Sequence, residues 1–287
     1  MDVGMGLPST IPGVTGADTL DWARQVEAGP FAGVHINDRL LYTNFEAIVT
    51  LSAVAAVTSR IGLMTSVILS PTRNAGILAK QAATLDVISN GRFTLGLGVG
   101  MRRDDFDAAP EPFANRGRTF EAQLATIKRA WSGEPMGEGL NPLGPKPVRS
   151  GGPELLIGAR TPKAIARAGK WADGFVSGGG PPQAAREAFD IVEATWKEEG
   201  RSGKPRFVAG AYFAIGDGQA EKGAAWVRDY YGFAPPMAEG IVKGVLTSEQ
   251  AIRDAMQAFA DIGVDQFNLG PTTADINQLD VIAGLVG

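Results

Sequence analysis

One histidine and no cysteine among 287 residues set the terms for any chemistry this chain can do. His35 lies inside the apolar run Val34-His35-Ile36, where strand alternation turns it to the face opposite its neighbours. There it is either a hydrogen-bonded core residue or an acid-base group. Asp38 and Arg39 stand just beyond that run, placed either to meet a substrate or to pair with each other. Disulfides, iron-sulfur clusters, thiolate zinc sites and a cysteine nucleophile are excluded. So is any site that needs two imidazoles. Carboxylates, hydroxyls, arginines or a bound cofactor must supply the chemistry.

Three further constellations bear on binding. Leu156-Ile157-Gly158-Ala159-Arg160-Thr161-Pro162 reads as a strand end, a small turn and a helix start. Such a turn offers backbone amides at the positive end of a helix, with Arg160 beside them, and suits a phosphate. An ordinary capped helix with a solvated arginine fits the same residues. The run Gly96-Leu97-Gly98-Val99-Gly100 is not a dinucleotide fingerprint, because Met101 stands where the third glycine belongs. Its glycines serve either a close-packed strand end or a flat ring approaching the backbone. Asp38 with Asp104 or Asp105 could form a two-carboxylate centre, although no spacing rule pairs them. No G-x-S-x-G elbow occurs, and Gly203-Lys204 lacks the spacing and hydroxyl of a P-loop.

The elements that would position these groups alternate regularly. Short apolar runs, as expected of buried parallel strands, fall at 3–6, 33–36, 61–69, 93–99, 154–157, 174–177, 207–215 and 266–269. Helical periodicity fills 15–28, 44–58, 74–88, 116–131, 161–172, 182–199, 247–262 and 274–286. Thr161 before Pro162 predicts a capped helix start, and Gly263 a helix end. Eight strand-helix units in this length predict one α/β domain over residues 1–287, a (β/α)8 TIM barrel. Gly/Pro-rich excursions are expected near 133–153 and 233–240. Reactive groups in such a barrel come from the strand C-termini. That places Leu7, His35, Asp38, Arg39, Ser66, Val67, Gly98, Gly100, Gly158, Ala159, Arg160, Thr161 and Ser177 around one mouth.

Composition agrees with a large buried core: 44% of residues are hydrophobic and 20% charged. The net charge of -4 is spread without a long basic run, so neither nucleic acid nor an acidic membrane surface is an expected partner. No apolar stretch approaches the length of a spanning helix, and the N-terminus does not read as a secretion signal. A cytoplasmic enzyme acting on a small molecule is expected.

The stretch Ile61-Gly62-Leu63-Met64-Thr65-Ser66-Val67 through Ser89-Asn90-Gly91-Arg92-Phe93 and Gly96-Leu97-Gly98-Val99-Gly100 resembles the luciferase-like monooxygenase family. So do Leu78-Ala79-Lys80, Ala83-Thr84-Leu85-Asp86, Arg116 and Arg118 before Phe120-Glu121, Trp131-Ser132-Gly133-Glu134 and Ala172-Asp173-Gly174, covering about residues 30–180. The resemblance implies a flavin-type cofactor, FMN or the deazaflavin coenzyme F420, its phosphate near Gly158, Ala159, Arg160 and Thr161. It also implies a bulge with a non-prolyl cis peptide at Ser66-Val67. Deazaflavin would direct the chemistry to hydride transfer and FMN to monooxygenation, with NAD(P)H as a candidate electron donor for FMN. A homodimer is implied, the helices near 44–58 and 74–88 being its candidate interface. Deazaflavin-dependent members often carry Asp-His where this chain has Asp38-Arg39. A non-catalytic flavin-binding protein therefore stays open, as does a cofactor-free hydrolase or lyase using Asp38 with Asp104 or Asp105.

Overall fold

The computed structural model describes residues 1–109 and 111–287. Its strands are β1 (Asp2–Gly6), β2 (Gly33–Ile36), β3 (Gly62–Thr65), β4 (Ile68–Leu69), β5 (Phe93–Gly98), β6 (Glu154–Gly158), β7 (Gly174–Val176), β8 (Arg206–Phe213) and β9 (Gln266–Pro271). All pair in parallel, in the order β3-β2-β1-β9-β8-β7-β6-β5-β4, and β3 also pairs with β5, so the sheet closes. The helices are α1 (Gly16–Ala28), α2 (Ala47–Val57), α3 (Ala75–Ile88), α4 (Arg103–Asp107), α5 (Arg116–Ser132), α6 (Pro162–Trp171), α7 (Pro182–Glu198), α8 (Gln219–Tyr230), α9 (Pro235–Lys243), α10 (Glu249–Asp261) and α11 (Gln278–Val286). This is a (β/α)8 barrel in which β3 and β4 are two pieces of one barrel strand.

The expected single strand at 61–69 is divided into β3 and β4 at Ser66-Val67, a bulge whose peptide is cis. That is the position which the family resemblance indicates. Besides the short α4, two longer helices were not anticipated, α8 and α9. Gly216, Gly218 and Gly223 break up the periodicity of the first, and Pro235-Pro236 opens the second like a loop. Most of the expected excursion at 233–240 is therefore helical. Residues 133–153 carry no helix or ladder, only one isolated bridge between Pro135 and Pro142.

Packing follows the period of each element. On α7, Ala185, Phe189, Val192 and Trp196 recur at helical spacing and turn inward, where Phe189 stacks on Phe207 of β8 at 4.1 Å. Phe259 of α10 stacks on Phe267 of β9 at 4.6 Å. Each large side chain so buried contributes about 1.5–3 kcal/mol. Inside the barrel, Met64, Leu156, Val176 and Val208 form a separate buried cluster with Val67 against it.

Polar side chains close the N-terminal end of the barrel. Arg206 reaches Glu154 and Gln266, Glu154 accepts from Thr94 at 2.8 Å, and Gln266 donates to Asn268 at 2.7 Å. Arg92 donates to the carbonyls of Ser89, Ile61, Thr58 and Ala55 and to the Thr58 hydroxyl. Glu27 accepts from the backbone of Ser59, Arg60 and Ile61 and from the Ser59 hydroxyl. Burial raises the Glu27 pKa, but those hydrogen bonds outweigh it and bring it down to about 2.

Candidate active site

At the opposite end, the strand C-termini surround a cavity of 570 Å³, within the size range of small-molecule sites. Small residues from β8, Ala209, Gly210 and Ala211, line it together with Val67 and Val176, while Tyr230, Tyr231 and Phe233 enter from the α8–α9 turn. Every predicted site residue except Leu7 contributes to this lining. Leu7 packs into the main hydrophobic core, because its amide donates to the His35 carbonyl at 2.8 Å and carries the side chain inward.

The glycines of β5 answer to packing. A Cβ on Gly96 would lie 2.0 Å from the Thr65 carbonyl oxygen, and one on Gly98 would lie 2.7 Å from Val67 Cγ2. The bulged strand thus presses into space that only glycine leaves. Gly100, at φ +76°, needs glycine for its backbone as well.

His35 is buried beneath the cavity. Burial, only partly offset by the backbone of Leu269, lowers its pKa to about 4, so the ring is neutral near pH 7. Neither ring nitrogen has a hydrogen-bond partner. Asp38 is engaged otherwise: it accepts from Arg73 at 2.8 Å and from the Leu69 amide at 3.0 Å, which fixes the segment after the bulge. Burial raises its pKa and Arg73 opposes that rise. Arg39 is buried as well. Its Nε donates to Asp105 at 2.7 Å, its Nη2 donates to Asp104 and the Leu41 carbonyl, and its guanidinium lies 5.5 and 5.6 Å from the ring centres of Tyr42 and Tyr230. Asp38 and Arg39 therefore do not pair with each other.

Asp105 accepts from the amides of Leu40 and Leu41 in addition to Arg39. Asp38 belongs to Arg73, Asp105 to Arg39, and Asp104 to Arg39 and Arg102. The carboxylates expected of a hydrolytic pair are thus committed to separate structural contacts. A hydrolytic general acid or base would need one of them free at the cavity.

Gly158, Ala159, Arg160 and Thr161 form the turn between β6 and α6 at the cavity edge. Thr161 occupies the N-cap position, but its hydroxyl makes no capping bond, contrary to the sequence expectation. The Thr161 carbonyl instead accepts the amides of Ala164 and Ile165. Among the described residues no carboxylate lies within ion-pair distance of Arg160, whose only polar contact is a long one to Met237 Sδ. A helix start, an uncommitted hydroxyl and an unpaired guanidinium fit a phosphate. The neighbouring apolar cavity fits a flat ring system. Ser177 and the Gly178-Gly179 segment line the same region.

Sequence reasoning missed the aromatic wall. All four tyrosines of the chain gather at this end: Tyr42 packs edge-on to Tyr230, and Tyr212 shares a 2.8 Å hydroxyl contact with Tyr231. Burial raises the pKa of Tyr212 and Tyr231, keeping both hydroxyls protonated. Arg102 fastens the wall by donating to the Tyr230 carbonyl and lying 4.2 Å over Phe233. Asn37 and Asn268 also reach the cavity, and the Asn268 amide nitrogen has no partner. The adjacent pair Tyr230-Tyr231 was the available signal, in a stretch with no strand to point to.

The chain belongs to the luciferase-like monooxygenase family, whose pattern it matches over residues 1–276. It is 32% identical over 212 residues, 72% of its length, to a 5,10-methylenetetrahydromethanopterin reductase of Methanolobus tindarius. It is also 32% identical over 182 residues, 60% of its length, to an uncharacterised protein of Mycobacterium tuberculosis. These matches span 64% and 63% of the two relatives. Among solved structures, an F420-dependent secondary alcohol dehydrogenase with an F420-acetone adduct aligns with TM-score 0.80 at 16% identity, covering 99% of this chain and 97% of that one. The FMN-bound oxygenating constituent of 3,6-diketocamphane monooxygenase from Pseudomonas putida aligns with TM-score 0.76 at 16% identity, covering 100% and 98%. At those identities the structural likeness concerns the fold. Among the described residues, no helix is long and apolar enough to cross a membrane.

Proposed function

We propose that this chain is a deazaflavin-dependent oxidoreductase that moves a hydride to or from a small organic substrate. The observation carrying this reading is the continuity of the unpaired Arg160 turn with an apolar 570 Å³ cavity, a phosphate grip joined to room for a flat ring. Bound there, the cofactor supplies the hydride chemistry. Reduction is favoured over oxygenation by the relative named as a methylenetetrahydromethanopterin reductase, the one 32% identical over 72% of this chain.

The residues of the chain then have distinct tasks. Arg160, Thr161 and the Gly158-Ala159 backbone hold the phosphate. Ser66, Val67, Gly98, Gly100 and Ser177 shape the cavity around the ring. Arg39 is a positioning residue, locked by Asp105. Neutral His35 presents a ring nitrogen without a partner, and the Tyr212-Tyr231 pair supplies a protonated hydroxyl for a polar atom of cofactor or substrate. Absorbance and fluorescence titrations with coenzyme F420 and with FMN test the reading. Tight binding of F420 is expected, whereas tight binding of FMN alone redirects the function to FMN chemistry with NAD(P)H as candidate donor. Binding of neither overturns the cofactor-dependent reading.

A homodimer through α2 and α3 accompanies this proposal. Val49 on α2 and Ile77, Val87 and Ile88 on α3 are exposed apolar side chains on adjacent helices. Light scattering should give twice the chain mass, falling to one chain mass in Val49→Glu/Ile77→Glu. A monomeric parent protein removes the assignment.

A further inference from the structure

Next to the barrel mouth lies a second concavity, a 520 Å³ groove between the first turns of α5 and α6. It shares Val99, Arg116, Thr161 and Ala164 with the large cavity, so the two are continuous across the phosphate-binding turn. Four cationic side chains line the groove, Arg116, Arg118, Lys163 and Arg167, against one carboxylate, Glu121. Glu121 faces Arg167 at 3.7 Å. Among the described residues no carboxylate stands within ion-pair distance of the other three. In a chain of net charge -4, this concentration of uncompensated positive charge runs against the overall balance.

We propose that this groove is a binding subsite for a flexible, carboxylate-bearing extension of the cofactor, joined to it beyond the phosphate. The inference rests on the cofactor reading above. Two features select this chemistry. The charges are spread: Lys163 and Arg167 lie one turn apart on α6 while Arg118 faces them from α5, which suits several anions along a chain better than a single one. Among the described residues, the groove lining also has no aromatic side chain on which a nucleobase could stack, which disfavours an adenine-bearing extension. Coenzyme F420, whose phosphate continues into an oligoglutamyl chain, meets this description, whereas FMN ends at its phosphate and would leave the groove unused.

The test compares two forms of the deazaflavin coenzyme, one with its oligoglutamyl chain and one without any glutamate, by fluorescence titration at low ionic strength. The wild-type protein should bind the tailed form more tightly, and added salt should shrink the difference because exposed charges are screened. The variant Arg118→Glu/Lys163→Glu alters two exposed residues outside the phosphate turn. It should weaken binding of the tailed form by about tenfold and leave the tail-free form within about twofold of wild type. An equal loss for both forms, no loss for either, or a wild-type protein that does not distinguish them overturns the groove assignment. In those three outcomes binding of the tail-free form still upholds the cofactor reading. Failure of the wild-type protein to bind either form overturns both.

Discussion

The two ends of this barrel are built from the same eight repeats yet treat their polar groups in opposite ways. At the N-terminal end, Arg92, Arg206, Glu154, Gln266 and Glu27 use nearly every donor and acceptor on one another or on nearby backbone. At the C-terminal end, both His35 nitrogens, Arg39 Nη1 and the Asn268 amide nitrogen are buried without partners, and Arg160 has no carboxylate. Buried polar groups left unpaired cost stability, about 1–3 kcal/mol each, unless something else satisfies them. One end of the barrel is therefore finished by its own side chains, and on the function proposed above a bound cofactor completes the other.

The largest effect that would test this division is at the satisfied end. Arg92→Met should lower unfolding free energy in denaturant by about 3 kcal/mol, since it leaves several acceptors unpaired, with cofactor affinity of the folded protein intact. A variant as stable as wild type would break the contrast. Next comes Arg160→Ala, which should weaken cofactor binding at least about tenfold while apoprotein stability stays within about 0.5 kcal/mol; unchanged affinity in the titration removes Arg160 from the phosphate site.

Smaller effects sharpen the contrast. Glu27 has a folded pKa of about 2 against an ordinary 4.5, so its contribution is present above pH 4.5 and is lost as pH falls from there towards 2. Glu27→Gln should flatten that part of a stability-against-pH curve, and an unaltered curve would discard the role. The least perturbing measurement is an NMR titration of the single histidine: the His35 ring should keep constant shifts from neutral pH to about 5 and move only near pH 4. A midpoint near 6.5 would show that the ring is not held neutral by burial.

The satisfied end was the more legible in sequence as architecture, because buried parallel strands announce themselves as short apolar runs and helices by their period. All eight repeats fall where those patterns put them. The turn Gly158–Thr161 was legible too, since a strand end followed by a helix start has a local pattern. Three things were not. Asp38 and Arg39 are neighbours in sequence but point to different partners, Arg73 and Asp105, which are distant along the chain. The glycines of β5 make room for a bulge on another strand, a relation between segments that no single run displays. The helices α8 and α9, which bring Tyr230, Tyr231 and Phe233 over the cavity, are obscured by glycine and proline and are held by tertiary packing.

The wall of the cavity also provides an optical gauge. Trp226 stacks on Tyr230 with ring centres 5.0 Å apart and donates its indole N–H to the Thr10 carbonyl. A ligand that absorbs in the near ultraviolet or blue and settles against Tyr230 will drain the excited state of that indole. With the other four tryptophans replaced by phenylalanine, the emission of Trp226 would report occupancy of the cavity with no added label.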